Sequence, residues 1–317
     1  MPAVQLMYTD HSASQNHLER LQSLLPDYRV LQVATAEEAI AEAGDTVAVM
    51  GHRFLRQMLP SMRRIRWVQT SAAGFDHLPW EEVFARGAVL TTAGFAGSVI
   101  AQHATMLALA MNRRLRDCIA KQDSSRWGED LYADLPPRLR TAMVLGLGAI
   151  GGRVAAMLAA GGIDVWGLSR SRRQVAGVSR HFTGEAWKEV VDQVDLLVVC
   201  LPRSPETRSF IDSAVVEKLK ATATVVNVGR SETVDLAALV RRLRAGTLGG
   251  VAIDVTPGRL PLPVDSELWQ VPGLLITPYL SARYGDRGRD LESYVESQVA
   301  RWVAGQPLQG VVSLKGQ

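Results

Sequence analysis

The sequence has only two cysteines in 317 residues, Cys118 and Cys200, and both stand among apolar neighbours. Two lone thiols cannot staple a fold, so a disulfide framework is excluded, and both are expected to be inert core residues in a reducing compartment. Long apolar runs are missing as well. No segment approaches 18 consecutive apolar residues, and the opening MPAVQLMYTDHS has no basic stretch ahead of an apolar one. The chain therefore reads as neither exported nor membrane-spanning, with the cytoplasm as its expected location. Nor is there a basic tail. The net charge of +3 and pI of 9.0 come from interspersed Lys and Arg, a balance that suits small anionic ligands and argues against nucleic acid. The spacing of His, Cys, Asp and Glu gives no convincing metal site.

What is present is ordinary globular material, 47% hydrophobic and 21% charged, in a length that predicts two domains. From Val4 to about Leu90, the segments VQLMY, HLERLQSLL, YRVLQVA, AEEAIAEA, VAVM and RWVQTS switch between periods of two and about 3.6, the rhythm of a small α/β domain. SVIAQHATMLALAMNRRLR, Ser98 to Arg116, predicts one apolar connector helix, suited equally to a dimer interface and to burial between domains. Then TAMVLGLG, IDVWGLS, DLLVVCLP, ATVVNVG, GGVAIDV and LLITPYLS follow one another, the first four each expected to lead into a helix. Strands apolar throughout and alternating with helices indicate a parallel sheet covered on both faces. A last helix, about Arg289 to Ala304, and the tail PLQGVVSL are expected to return to the first domain.

The strand Ala142 to Leu145 runs into Gly146-Leu147-Gly148-Ala149-Ile150-Gly151 and then into helix-forming residues. This is G-x-G-x-x-G in the strand–turn–helix context that a dinucleotide pyrophosphate needs. The first glycine permits the turn, the second lets backbone approach the phosphates, and the third lets helix pack on strand. The next strand, Ile163 to Leu168, lacks a terminal carboxylate to hold a ribose 2′-hydroxyl. It ends instead in Ser169-Arg170-Ser171-Arg172-Arg173. Hydroxyls and guanidinium groups match a 2′-phosphate, so NADP(H) is the expected cofactor.

In order, VQTSAAGFDHL, GLGAIG, SRS, CLPRSPETRSFID, VVNVGRSETVDLAAL, GGVAIDV, DSELWQVPGLLITP and WVAGQPLQGVV resemble the D-2-hydroxyacid dehydrogenase family, most closely its glyoxylate and hydroxypyruvate reductase branch. The resemblance implies a Rossmann-type doubly wound α/β domain, residues 99–286, inserted in a smaller flavodoxin-like α/β domain formed by 1–98 and 287–317. It also implies a homodimer and a small 2-oxo acid substrate. Carried over residue by residue, it gives Arg230 as clamp for the substrate carboxylate and Ala73 and Gly74 as a carboxylate-binding turn. Gly146, Gly148, Ala149, Ile150, Gly151, Ser169, Arg170, Ser171, Leu201, Pro202, Thr207, Val228 and Asp254 become cofactor contacts, with Asp254 near the nicotinamide.

Two positions depart from that family. Its glutamate after the aspartate is absent from Thr256-Pro257-Gly258-Arg259-Leu260, and Tyr279 stands where its histidine acid follows Thr-Pro. A carboxylate that orients an imidazole has no purpose once the imidazole is gone, so the losses are consistent with each other. Tyr279 is the candidate replacement acid, or an anchor for the substrate hydroxyl, with a nearby arginine or the cofactor's charge expected to lower its pKa from about 10. His77, His103 and Asp76 read as structural, as do Trp127 and Trp269. The expected activity is an NADPH-dependent 2-oxo acid reductase. The alternatives are a catalytically impaired NADP(H)-binding sensor and, with less support, nonredox chemistry on a tightly held cofactor.

Overall fold

The fold comes from a computed structural model, which describes residues 4–9, 13–133, 135–258 and 261–312. The chain forms two compact units, one of residues 1–96 with 284–317 and one of residues 97–283.

The first unit carries β1 (Val4–Tyr8), α1 (Gln15–Leu24), β2 (Tyr28–Gln32), α2 (Ala36–Glu42), β3 (Thr46–Met50), α3 (Leu55–Met58), β4 (Trp67–Gln69), α4 (Trp80–Ala85) and β5 (Val89–Thr91). The strands form one parallel sheet in the order β2-β1-β3-β4-β5, the flavodoxin-like arrangement. β3 is buried at every position, as a central strand covered on both faces requires. Ser14 and Thr35 start α1 and α2 by accepting the N–H groups of His17 and Glu38, caps that contribute about 1 kcal/mol each.

The second unit begins with α5 (Gly97–Asn112) and α6 (Leu115–Asp123), followed by β6 (Thr141–Leu145), α7 (Gly151–Ala160), β7 (Asp164–Leu168), β8 (Val178–Phe182) and β9 (Leu196–Val199). Then come α8 (Ser213–Lys218), β10 (Thr224–Asn227), α9 (Leu236–Arg244), β11 (Gly250–Ile253) and β12 (Leu274–Ile276). All seven strands are parallel, in the order β12-β11-β10-β9-β6-β7-β8. The order reverses between β6 and β9, whose carboxyl ends define the crevice where ligands of such sheets bind. β9, β10 and β11 are buried throughout, and each Leu or Val taken fully from water contributes about 1.5–3 kcal/mol. The chain then returns to the first unit as α10 (Arg287–Val303), which packs on α1, and Val311 bridges antiparallel to Thr91.

Three sequence expectations need correction. The connector is two helices rather than one. Arg114 adopts a left-handed φ of 50° and pairs with Asp117 at 2.7 Å, so the polar Asn112-Arg113-Arg114 step ends α5 and α6 starts afresh. No α-helix follows IDVWGLS. Val178–Phe182 instead pairs with β7 as an edge strand, entered through Gly177 at φ 81°, where an added Cβ would lie 2.8 Å from the Ala159 Cβ. Finally, Cys118 is exposed on α6 rather than in the core, while burial pushes the Cys200 thiol up to about 12.

The helical run Gly94–Asn112 is long and apolar enough to cross a membrane by length and composition. Within the second unit α5 packs on β10, β11 and α7, which accounts for its buried apolar residues Ile100, Ala101, Ala104, Leu107 and Ala108.

Candidate functional site

At the carboxyl end of β6 the chain turns through Gly146 at φ 93°, where a Cβ would come within 2.9 Å of the Cys200 carbonyl oxygen. Glycine is required there because the loops leaving β6 and β9 pass against each other. Gly151, the first residue of α7, is tighter still, since a Cβ would sit 2.1 Å from the Gly146 carbonyl oxygen. Gly148 is the opposite case: a Cβ would meet nothing within 4 Å. The loop is closed toward protein and open above Gly148, with Ala149 and Ile150 leading into α7. Such a cradle fits a pyrophosphate at a helix N-terminus. Leu201 and Pro202 follow β9, and Val228, buried, follows β10. The Thr207 hydroxyl donates to the Pro202 carbonyl at 2.7 Å and accepts the Ser204 N–H at 2.8 Å, stiffening the turn beside the crevice.

β7 ends in Ser169 with no carboxylate beside it, and Arg170, Ser171 and Arg172 continue as exposed residues. The Arg173 guanidinium turns back to the Leu147 carbonyl of the glycine loop. His181 of β8 bonds the Ser169 hydroxyl at 2.7 Å and the Arg173 carbonyl at 2.9 Å. Sequence reasoning missed this histidine, because the segment was expected to be helical.

A third cluster lies after β10, β11 and β12. The turn at Arg230 is fixed by its own carbonyl, which accepts the Asn227 amide at 2.9 Å and the Thr233 hydroxyl at 2.6 Å. Asp254 is 1% exposed. Its carboxylate accepts the Thr277 hydroxyl at 2.6 Å, the Leu280 N–H at 2.8 Å and the Ser281 N–H at 3.0 Å. Between these anchors Tyr279 is held at φ 53°, its N–H donating to the carbonyls of Asp254 and Thr277, each at 3.1 Å. Burial pushes the Tyr279 phenol above its ordinary range, Arg230 pulls it partly back, and Asp254 pushes it up again. The net direction corrects the expectation that a neighbouring arginine would lower it.

His103 reaches this cluster from α5, its Nε2 3.1 Å from the Thr277 hydroxyl and 3.6 Å from the Asp254 carboxylate. It is packed and hydrogen-bonded, but sequence alone gave no sign that it meets the end of β12. Of the stretch lacking a glutamate, Thr256 is buried and Gly258 exposed. Arg259 and Leu260 lie outside the described residues.

Ala73 and Gly74 belong to the first unit, in the turn after β4, and are half-buried. The turn is shaped by the Ala72 N–H donating to the Thr70 hydroxyl at 3.0 Å and by Arg287 donating to the Ser71 carbonyl at 2.7 Å. His52 bonds the same Thr70 hydroxyl at 2.9 Å, and its ring lies edge-on to that of His77 at 5.0 Å. Among the described residues no three His, Cys, Asp or Glu side chains are arranged to hold a metal ion. Trp127 is exposed, and Trp269 donates to the Pro263 carbonyl at 2.8 Å.

Residues 105–281 match the family described as D-isomer specific 2-hydroxyacid dehydrogenase, NAD binding domain. A glyoxylate reductase of Aeropyrum pernix is 29% identical over 252 residues, 76% of this chain and 74% of that protein. A D-3-phosphoglycerate dehydrogenase of Bacillus subtilis is 23% identical over 287 residues, and the match covers 89% of this chain but only 54% of that relative. Among solved structures, the D-isomer specific 2-hydroxyacid dehydrogenase of Xanthobacter autotrophicus in complex with NADPH and MES is similar at a TM-score of 0.77 with 26% identity, covering 99% of both chains.

Proposed function

The chain belongs to the D-isomer specific 2-hydroxyacid dehydrogenase family, and from that premise we propose that it is an NADPH-dependent reductase of small 2-oxo acids or related carbonyl compounds. The observation that carries this reading is the cluster of Arg230, Asp254 and Tyr279 at the carboxyl ends of β10, β11 and β12, in the same unit as the glycine cradle. The glycine loop would hold the pyrophosphate. Ser169, Arg170 and Ser171 would take the 2′-phosphate, with no carboxylate to repel it, and Leu201, Pro202, Thr207 and Val228 would line the path between them. A similar solved structure holds NADPH. When bound, NADPH supplies the hydride, and the remaining tasks fall to side chains.

Arg230 would grip the substrate carboxylate, a task that suits a guanidinium because it stays charged at all relevant pH values. In the first unit, the backbone N–H groups of the turn at Ala73 and Gly74 would by themselves suit a carboxylate. Hydride addition at the carbonyl carbon would break the C=O π bond and pass its electrons to oxygen. The Tyr279 hydroxyl would deliver the proton to that oxygen, leaving a 2-hydroxy acid and a phenolate beside Arg230. The raised pKa of Tyr279 keeps the phenol protonated at neutral pH, which is the state a donor requires. Asp254 acts here by holding Tyr279 in place.

The exposed apolar side chains Met106 and Leu109 on α5 and Leu115 and Ile119 on α6 support a homodimer. The deciding experiment follows NADPH oxidation against glyoxylate, hydroxypyruvate and other 2-oxo acids. Turnover of any of them upholds the reductase. Tight NADPH binding with no turnover across the panel would favour a cofactor-binding sensor.

A further inference from the structure

The loop that follows β7 contains a hydrogen-bonded cluster whose protons can be counted. The Ser169 oxygen lies 2.7 Å from His181 Nε2 and 2.9 Å from the Ser171 carbonyl. The other ring nitrogen, His181 Nδ1, lies 2.9 Å from the Arg173 carbonyl. These three contacts need three protons. A neutral imidazole has one N–H and the serine hydroxyl has one, so one contact must join two lone pairs. If Nδ1 carries the proton, the serine hydroxyl can serve either His181 or Ser171 but not both. If Nε2 carries it, Nδ1 faces the Arg173 carbonyl with no hydrogen between them. An imidazolium has two N–H donors, and with the serine hydroxyl all three contacts are made.

We infer that His181, as an imidazolium beneath the Ser169–Arg173 loop, is a specificity-determining residue for a phosphate monoester on the cofactor's ribose. The inference rests on the NADPH reading above. Its positive charge joins those of the loop while its two N–H groups hold Ser169 and the Arg173 carbonyl in the conformation that receives the phosphate. A bound phosphate dianion stabilises the protonated ring further, so wherever part of the free protein carries the neutral ring, binding of the 2′-phosphorylated cofactor draws in a proton and binding of the unphosphorylated one does not.

The charged groups on the elements around His181 are consistent with this. Arg170, Arg172 and Arg173 lie in the loop itself, and all three favour an arriving anion. Arg180, next along β8, stacks over the Trp166 and Phe182 rings. Asp164 of β7 is engaged with the Trp166 ring nitrogen and the Ser179 hydroxyl. On α7, Arg153 donates to the Ala149 carbonyl. Glu206, across the crevice, has its carboxyl held below the usual range by the Ser204 hydroxyl first, then by its own backbone, with a weaker pull from Arg170. None of these carboxylates bonds the His181 ring, so the anion that would pair with its charge comes from the ligand.

The test measures Kd for NADPH and NADH by nicotinamide fluorescence at pH 6.5 and pH 8.5, a range in which a phosphate monoester is largely dianionic. The native protein, His181→Gln and His181→Lys are compared. In the native protein the preference for NADPH should be about fivefold greater at the lower pH, the order expected of one solvent-accessible ion pair. His181→Gln should lower the preference and remove its pH dependence, while His181→Lys should keep the preference at both values. Calorimetry of the native protein in two buffers of different ionisation enthalpy should show proton uptake with NADPH and none with NADH, a readout that does not depend on how the variants fold. A native preference independent of pH with no proton uptake, or a pH dependence surviving in His181→Gln, overturns the role of His181 and leaves the NADPH reading standing. Equal affinity for NADH and NADPH at both pH values overturns that reading and this inference together.

Discussion

The Asp254 carboxylate accepts the backbone N–H of Leu280 at 2.8 Å, and through that bond a buried acid at the end of one strand fixes the backbone of the tyrosine one residue earlier. The φ of 53° at Tyr279 is one that a non-glycine residue keeps only when its surroundings impose it, at a cost of order 1–3 kcal/mol. Asp254 imposes it with three accepted hydrogen bonds.

Replacing the phenol alone separates proton donation from that support. Tyr279→Phe keeps the ring and the backbone, so the unfolding free energy should change by less than about 0.5 kcal/mol. If the phenol is the acid, the kcat for carbonyl reduction should fall roughly 10²- to 10⁴-fold. The pH profile gives an independent check. Because the folded environment raises the Tyr279 pKa above 10, the protonated donor persists through neutrality, and kcat should stay level from pH 6 to pH 9 and decline only above about 10. A decline centred near pH 7 would assign the acid to a histidine.

Gly148 and Gly151 make opposite demands although they belong to one motif. At Gly151 an added methyl would collide with the Gly146 carbonyl at 2.1 Å, so Gly151→Ala should destabilise the second unit by about 1–3 kcal/mol, read by thermal unfolding without cofactor. At Gly148 the same methyl meets no protein atom within 4 Å. Gly148→Ala should leave the melting temperature unchanged and weaken NADPH binding about tenfold or more, because only the bound cofactor would occupy that space.

Much of this architecture was legible because its signals are local. The apolar strands β6, β9, β10 and β11 and the glycine turn each occupy a few adjacent residues, and their order alone implies a doubly wound sheet. What stayed hidden depends on pairing across the chain. Val178–Phe182 contains Ser179, Arg180 and His181 and becomes a strand only by lying beside β7. His103 and Thr277 are 174 residues apart, and nothing in either neighbourhood announces their 3.1 Å contact. The break between α5 and α6 turns on a left-handed Arg114 that helix periodicity cannot show. The direction of the Tyr279 pKa is hidden from the sequence for a related reason, since burial outweighs a visible charge and is set by the folded surroundings.

Asp195 should govern part of the acid sensitivity of the second unit. It links the starts of neighbouring strands by accepting the N–H groups of Arg140 and Thr141 at 2.9 and 3.0 Å and Lys220 at 2.7 Å. Desolvation, the largest single influence, pushes its carboxyl up, but Lys220 and the two backbone donors together pull it below the usual carboxylate range. A depressed folded pKa stabilises the protein above the unfolded value of about 3.9, and that contribution is lost as pH falls through the folded value. Urea midpoints at pH 6 and pH 3 should therefore converge in Asp195→Asn relative to the native protein.

In the first unit, His17 is fully buried between two partners, with the Tyr8 hydroxyl 2.5 Å from Nε2 and the Glu296 carboxylate 2.5 Å from Nδ1. Tyr8 donates to one nitrogen and the other donates to Glu296, which Arg20 also binds at 2.8 Å. β1, α1 and α10 are joined by this chain of bonds, so the C-terminal helix is tied to the N-terminal strand through one imidazole. His17→Leu fills the space but removes one hydrogen bond from the Tyr8 hydroxyl and one from Glu296, and losing a partner at a buried or partly buried group costs about 1–3 kcal/mol. Unfolding of the variant should be easier by about 2–4 kcal/mol, while NADPH affinity stays unchanged because the dinucleotide cradle lies in the other unit. A His17→Leu variant that unfolds at the native midpoint would mean that the linkage contributes nothing to holding α10 in place.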